Sequence, residues 1–268
     1  MREVTMELRR LIEAYRWQRG LGHDIIATPY GRIVTNLAHP TVWDANHADA
    51  VTAEQPEEIA ALLASMDDHL AHTPWRVVHT DPFTPEAFSA RLALDGYAEQ
   101  PAVIQMVLSR QLQAVPGSDI TPIETEADWR ALAALVRRDH EEGARTGGAI
   151  LSAKVTDEIV AGYRAKDGPY RFLLASIGGI PVAYGACAAA PSGAGMIEDL
   201  FTLPAYRQRG IASALIAHFS GQLVAQGCDF IFLGALVGEQ ARHLYAKLGF
   251  RPVMLTRCWV RQTEERRS

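Results

Sequence analysis

The sequence predicts an α/β (α+β) protein built from two tandem copies of one unit, each a mixed, largely antiparallel twisted sheet flanked by helices. Three observations predict it. Short apolar runs of strand length alternate with stretches of helical periodicity along the whole chain. Residues 87–107 (AFSARLALDGYAEQPAVIQMV) follow the same order of helix, glycine, aromatic and strand as residues 240–260 (QARHLYAKLGFRPVMLTRCWV), with Gly96-Tyr97 falling on Gly249-Phe250. The length, 268 residues, suits one large or two small domains at roughly 100–200 residues each, and either buries a substantial core.

Residues 2–19 read as an amphipathic helix with Val4, Leu8, Leu11, Ile12 and Tyr15 on one face. Ile25–Ala27, Thr28-Pro29-Tyr30-Gly31 and Arg32–Asn36 read as strand, turn and strand. A short strand is expected near Thr41–Asn46. A helix over 56–71 turns Ile59, Leu62, Leu63 and Met66 inward. Then come a strand at Trp75–His79, a helix at Pro85–Asp95 and a strand at Val103–Leu108. The polar segment Gln111–Ser118, with Pro116-Gly117, reads as a linker.

The second half opens with a strand at Ile120–Ile123 and a helix from Glu126 to about Glu142. Gly143–Gly148 is a loop and 153–165 a helix. Arg171–Ile177 and Val182–Ala189 are strands joined at Gly178-Gly179. Met196–Leu203 is a strand, Gly210–Gln226 a helix and Phe230–Leu233 a strand. Glu239–Leu248 is a helix, and Val253–Arg261 the last strand. The repeat lays helix 56–71 on 210–225 and puts the division at 1–112, a linker at 113–118, and 119–268.

A net charge of −5 provides no global basic field for nucleic acid or an anionic membrane. No apolar run reaches the roughly 18 residues of a membrane-spanning helix. The opening MREVTMELRRLIEAYRWQ lacks a signal-peptide core, so a cytoplasmic location is the expectation. Cys187, Cys228 and Cys258 are widely spaced and form no CxxC, which points to buried free thiols. Six histidines (His23, His39, His47, His69, His72, His79) crowd residues 23–79 beside Asp44 and Asp49. No HExxH or paired Cys/His spacing accompanies them, so no metal site is expected. The run Trp43–His47 is the one stretch there with the make-up of a pocket lining.

The stretch that carries chemistry is Ile197–Leu215, IEDLFTLPAYRQRGIASAL. A strand runs into Arg207-Gln208-Arg209-Gly210-Ile211-Ala212 and directly into a helix. Unpaired N–H groups and the dipole at a helix start suit a diphosphate. Gly210 and Ala212 leave room for close approach, and Arg207 and Arg209 add charge. GxGxxG and GxxxxGK[ST] are both absent.

Arg207–Ala212 resembles the [RQ]-x-x-G-x-[GA] loop of the GNAT superfamily of acyl-CoA-dependent N-acyltransferases. Asp199–Pro204 is similar to that family's fourth strand. Ala241–Phe250 resembles its A-x-x-L-Y-x-K-x-G-F signature, with the family's spacing of about 35 residues from Gly210 to Tyr245. The resemblance covers 119–268. It implies that the backbone of Leu200, Phe201 and Thr202 pairs with pantetheine and that Arg207, Gln208, Arg209, Gly210, Ile211 and Ala212 hold the pyrophosphate. It implies that Tyr245 protonates the leaving thiolate, a task suited to a phenol with an ordinary pKa near 10. Glu198 and Asp199 precede the donor strand, alternation sends them to opposite faces, and Glu198 is the favoured base. One departure is Gly238, where the family often has asparagine.

Carried back through the repeat, the loop falls on Thr52–Glu57, without glycine or arginine, and Tyr245 falls on Leu92. The first half therefore resembles a degenerate GNAT domain that buttresses the second or walls the acceptor side. The expected activity is N-acetyl transfer from acetyl-CoA, with no metal, to the primary amine of a small molecule or peptide. An acyl-CoA-binding regulatory module and an O-acyltransferase remain as alternatives.

Overall fold

The computed structural model describes residues 2–108, 112–113, 119–145 and 151–263. In chain order these form α1 (Arg2–Gly20), β1 (Asp24–Thr28), β2 (Gly31–Thr35), β3 (His47–Asp49), α2 (Pro56–His69), β4 (Trp75–Thr80), α3 (Glu86–Leu94), β5 (Ala98–Glu99) and β6 (Val103–Leu108). There follow β7 (Asp119–Pro122), α4 (Glu126–Arg145), α5 (Ala153–Lys166), β8 (Tyr170–Ile177), β9 (Ile180–Ala189), β10 (Ala194–Thr202), α6 (Ile211–Ala225), β11 (Phe230–Leu236), α7 (Ala241–Leu248) and β12 (Phe250–Gln262). Most of the expected linker, 114–118, lies outside the described residues, as does 146–148 of the expected loop.

The strand expected at Thr41–Asn46 is not there. Trp43–Ala45 is a single 3-10 turn and the strand is His47–Asp49. Asn46 explains the shift. Its Oδ1 accepts from Asn36 N (3.0 Å), and its Nδ2 donates to the carbonyls of His39 (2.7 Å) and Val42 (3.2 Å). These bonds satisfy a looped backbone that would otherwise need a strand partner.

The chain divides into two compact units, each built from more than one stretch of sequence. One comprises residues 15–105, 235–239 and 253 onward; the other comprises 1–14, 106–234 and 240–252. In the first, β1, β2 and β3 form an antiparallel meander. β3 pairs parallel with β4 across the α2 crossover, and β12 joins β4 antiparallel. Alternation gives this sheet two unlike faces. Ile33, Ala48, Val78 and Trp259 bury one face against Ile59, Leu62 and Met66 of α2 and Phe88 and Leu92 of α3. Truncating Leu62 or Phe88 to alanine would cost about 2–5 kcal/mol. The other face carries Arg32, His47, Asp49 and His79.

In the second unit the order is β11-β10-β9-β8-β7, all antiparallel except β10 with β11, which α6 connects. Trp129 of α4 and Tyr163 of α5 pack on Phe172 of β8, which sets α4 and α5 on one face. α6 lies on the other. It comes close because Gly185 and Gly195 have no side chain: a Cβ at Gly185 would sit 2.7 Å from Leu200 Cδ2 and 2.9 Å from Phe219 Cε2. The repeat read from sequence reappears in the topology. β3-α2-β4 and β10-α6-β11 are the same parallel crossover, and Gly96 (φ +78°) and Gly249 (φ +102°) each follow a helix and precede a buried aromatic.

Candidate active site

The site is built on β10. This strand pairs with β11 only over Ala194–Ile197, and its register with β9 slips by one residue between Glu198 and Phe201. Asp199 sits in the slip at φ +54°, a left-handed conformation that costs a non-glycine residue about 1–2 kcal/mol. Beyond it, Leu203 N donates to Val182 O at 2.9 Å. Alternation then turns the N–H and C=O of Phe201 toward β9, and those of Leu200 and Thr202 toward the opposite edge. Of the three strand residues nominated from sequence, two therefore present backbone groups off the β9 side.

The strand leads through a short 3-10 turn, Pro204–Tyr206, into Arg207–Gly210. Gln208 (φ +60°) and Gly210 (φ +80°) are both left-handed, which makes successive N–H groups converge as in an anion-binding nest. Gly210 is the N-cap of α6 and brings no capping side chain. The first turn's N–H groups thus keep their polarity for a ligand. A Cβ at Gly210 would meet nothing within 4 Å, so its surroundings are open. Arg209 is exposed and lies over the Tyr206 ring at 5.3 Å. Arg207 is engaged elsewhere: it donates to both Glu142 oxygens (2.6 and 2.7 Å) and to Thr202 O (2.9 Å).

The start of α2, the counterpart of α6 in the repeat, is chemically the opposite. Glu58 accepts from Glu54 N (2.9 Å) and Gln55 N (3.1 Å), and Pro56 removes a further donor. Those two backbone bonds hold the Glu58 carboxyl below the usual range. A carboxylate of the chain itself occupies the place an anionic ligand would take.

Glu198 is half-buried and faces α4 and α5, as Ala186, its partner on β9, does. The expectation that Glu198 and Asp199 point to opposite faces is corrected here. The left-handed turn at Asp199 brings its carboxylate to the same side, where Tyr163 donates to Oδ1 and Tyr170 to Oδ2, each at 2.9 Å. Nearby, Tyr184 donates to Asp139 at 3.3 Å. Burial, then the Asp199 charge, pushes the Tyr163 and Tyr170 phenols well above their ordinary value, so both stay donors. Tyr245, on α7 in the same unit, is buried at 7% exposure, 6.2 Å from the Phe250 ring. Sequence reading missed Tyr163 and Tyr170 as members of this region; Asp139 and Glu142 belong to the acidic stretch 139–142 that the family resemblance places on the acceptor side. Only the period-2 pattern of Tyr170, Phe172 and Leu174 hinted at a shared face.

Among the described residues no three His, Cys, Asp or Glu side chains are placed to hold a metal, and no helix is long and apolar enough to cross a membrane. His47 and His79 pack edge to face at 4.8 Å in the first unit. Cys187 and Cys228 are buried and Cys258 half-buried; burial pushes the Cys187 and Cys258 thiols up to about 12.

No curated protein matches the sequence. Several solved structures share the fold. A conserved protein of unknown function from Staphylococcus epidermidis aligns at TM-score 0.67 and 13% identity, over 90% of this chain and 94% of that one. A GCN5-related N-acetyltransferase from Kribbella flavida aligns at 0.65 and 15%, over 97% and 94%. A tandem GNAT protein from the clavulanic acid biosynthesis pathway aligns at 0.60 and 12%, over 89% and 81%. The model of the Acetyltransferase (GNAT) family matches residues 126–250, the stretch that holds β10, the Gly210 loop and Tyr245. Residues 126–250 are a domain of the GNAT acetyltransferase family.

Proposed function

We propose that the protein is an acyl-CoA-dependent N-acyltransferase that moves an acetyl group from acetyl-CoA to the primary amine of a small molecule or peptide, by direct attack in a ternary complex. The observation that carries this reading is the junction of β10 and α6. There a helix start capped by a left-handed glycine follows a strand whose Leu200 and Thr202 turn backbone groups away from β9. This arrangement fits the donor at both ends. The N–H groups of Arg207–Ala212 hold the diphosphate, and Arg209 adds charge. Arg207 contributes through its backbone, because its guanidinium is bound to Glu142. Leu200 and the N–H of Thr202 pair with pantetheine, the Thr202 carbonyl already accepting from Arg207, while the amide of Phe201 faces β9.

The donor supplies an activated acyl carbon when bound. Glu198 accepts the proton that the acceptor ammonium must lose to become a nucleophile. Tyr245 donates a proton to the departing thiolate. The first unit, its α2 start closed by Glu58, is not a second donor site.

The test is thiol release from acetyl-CoA against panels of amines and alcohols, for the wild type and for Glu198→Gln and Tyr245→Phe. The reading expects turnover with amines and a loss in kcat of about 100-fold in each variant. Turnover with alcohols alone would replace N-transfer by O-transfer. Donor binding without thiol release for any acceptor would leave a regulatory module.

A further inference from the structure

Asp199 stands at a position the proposed chemistry does not use, and three observations converge on it. It is a non-glycine residue held left-handed in the middle of a strand. It occupies the one-residue slip: Glu198 lies opposite Ala186 and Phe201 opposite Tyr184, so three steps on β10 span two on β9. Both of its carboxylate oxygens are taken up by phenols from two different elements, Tyr163 of α5 and Tyr170 of β8. The two phenol rings are themselves locked by Phe172, at 4.6 Å from Tyr163 and 5.1 Å from Tyr170.

The slip has a definite consequence. With one residue fewer in the bulge, Leu200 would fall opposite Tyr184. A one-residue change of register exchanges which backbone groups face β9 and which face the other edge. Leu200 and Thr202 would then bond to β9, and Phe201 alone would face outward. The kink at Asp199 therefore decides which amides are on offer beyond it.

We propose that Asp199 is a positioning residue for the acyl donor: gripped by Tyr163 and Tyr170, it fixes the bulge that turns the backbone of Leu200 and Thr202 outward. This rests on the reading of β10 as the donor strand. Asp199 is not the base on this account, because taking up a proton there means giving up one of the two phenol bonds.

The experiment measures acetyl-CoA affinity by calorimetry, together with kcat and the KM of donor and amine, in four proteins: wild type, Asp199→Asn, Asp199→Val and the Tyr163→Phe/Tyr170→Phe double variant. Asparagine also enters the left-handed region and its amide oxygen still accepts from a phenol. Asp199→Asn is therefore expected to keep donor affinity and turnover within about threefold of wild type. Asp199→Val, whose β-branched side chain resists positive φ, should weaken donor affinity by about tenfold or more and raise donor KM while the amine KM holds. The double variant keeps Asp199 but removes its grip, and should weaken the donor in the same sense even if Asp199→Val does not fold. Donor affinity unchanged in the double variant would overturn the proposal. So would an Asp199→Asn protein that binds donor normally but loses turnover, which would make Asp199 catalytic. If wild type itself binds no acyl-CoA, it is the donor-strand reading that fails.

Discussion

Lowering the pH from 7 to 4.5 should weaken the first unit, and His79 should be the main cause. His79 lies on the polar face of that sheet, under Arg19 of α1, beside His47 of β3, and 3.5 Å from Asp44 of the 3-10 turn. Burial, followed by the Arg19 charge, depresses its pKa to about 3 against an ordinary 6.5; Asp44 opposes the shift and His47 adds to it. The imidazole stays neutral in the fold while the unfolded chain takes up a proton below 6.5. Stability therefore falls with falling pH, by about 1.4 kcal/mol per unit well inside the window between 6.5 and 3. Integrated from pH 7 to 4.5, the loss is about 2.5 kcal/mol. Asp49, held low despite burial by His47 and Arg32, loses its stabilising effect only below its ordinary 3.8, outside this window. The assay is urea unfolding followed by tryptophan fluorescence. Four of the five tryptophans (Trp17, Trp43, Trp75, Trp259) belong to the first unit, so the signal reports mainly on it. At a slope of about 2–3 kcal/mol/M, the wild-type midpoint should drop by about 1 M. His79→Gln should lose most of that pH dependence, whatever its stability at pH 7. Equal pH dependence in the two proteins would rule out His79 as the cause.

Other outcomes follow from the same geometry. Gly210→Ala should destabilise by only about 1 kcal/mol, because strain at φ +80° is the sole cost where a Cβ meets nothing; it should nonetheless weaken acetyl-CoA binding measurably by calorimetry. Gly185→Ala should lower stability by about 1–3 kcal/mol in thermal unfolding, since its Cβ would press on Leu200 and the Phe219 ring. Glu142→Gln should change stability by less than about 1 kcal/mol, as an ion pair whose arginine is 45% exposed is screened, and should make donor binding more salt-dependent by releasing Arg207 toward the diphosphate.

Much of the fold was legible because the signals were local. Gly210 before an apolar helical run, Gly96 and Gly249 after one, and the alternation through β8 and β9 each specify their own element. What escaped depended on side-chain hydrogen bonds to the backbone or on partners distant in sequence. The side chain of Asn46 decided that 41–46 loops instead of pairing. The last strand, β12, joins β4 some 180 residues earlier, so Trp259 helps to fill the core of the first unit. In the site, the motif located the loop and strand, but the faces of Glu198 and Asp199 could not be read from alternation. A single positive φ cancels alternation, and nothing in the string IEDLFT announces it. Tyr163 and Tyr170 sit in no motif of the sequence, and only their hydroxyl bonds to Asp199 place them in the site.

The most direct test of the central claim is a calorimetric titration of acetyl-CoA and of free CoA into the full chain, beside an Arg209→Glu/Gly210→Asp double variant. Wild type should bind one equivalent and the variant none, because the α6 start is open and the α2 start is closed by Glu58. Two equivalents, or binding that survives the double substitution, would contradict the claim.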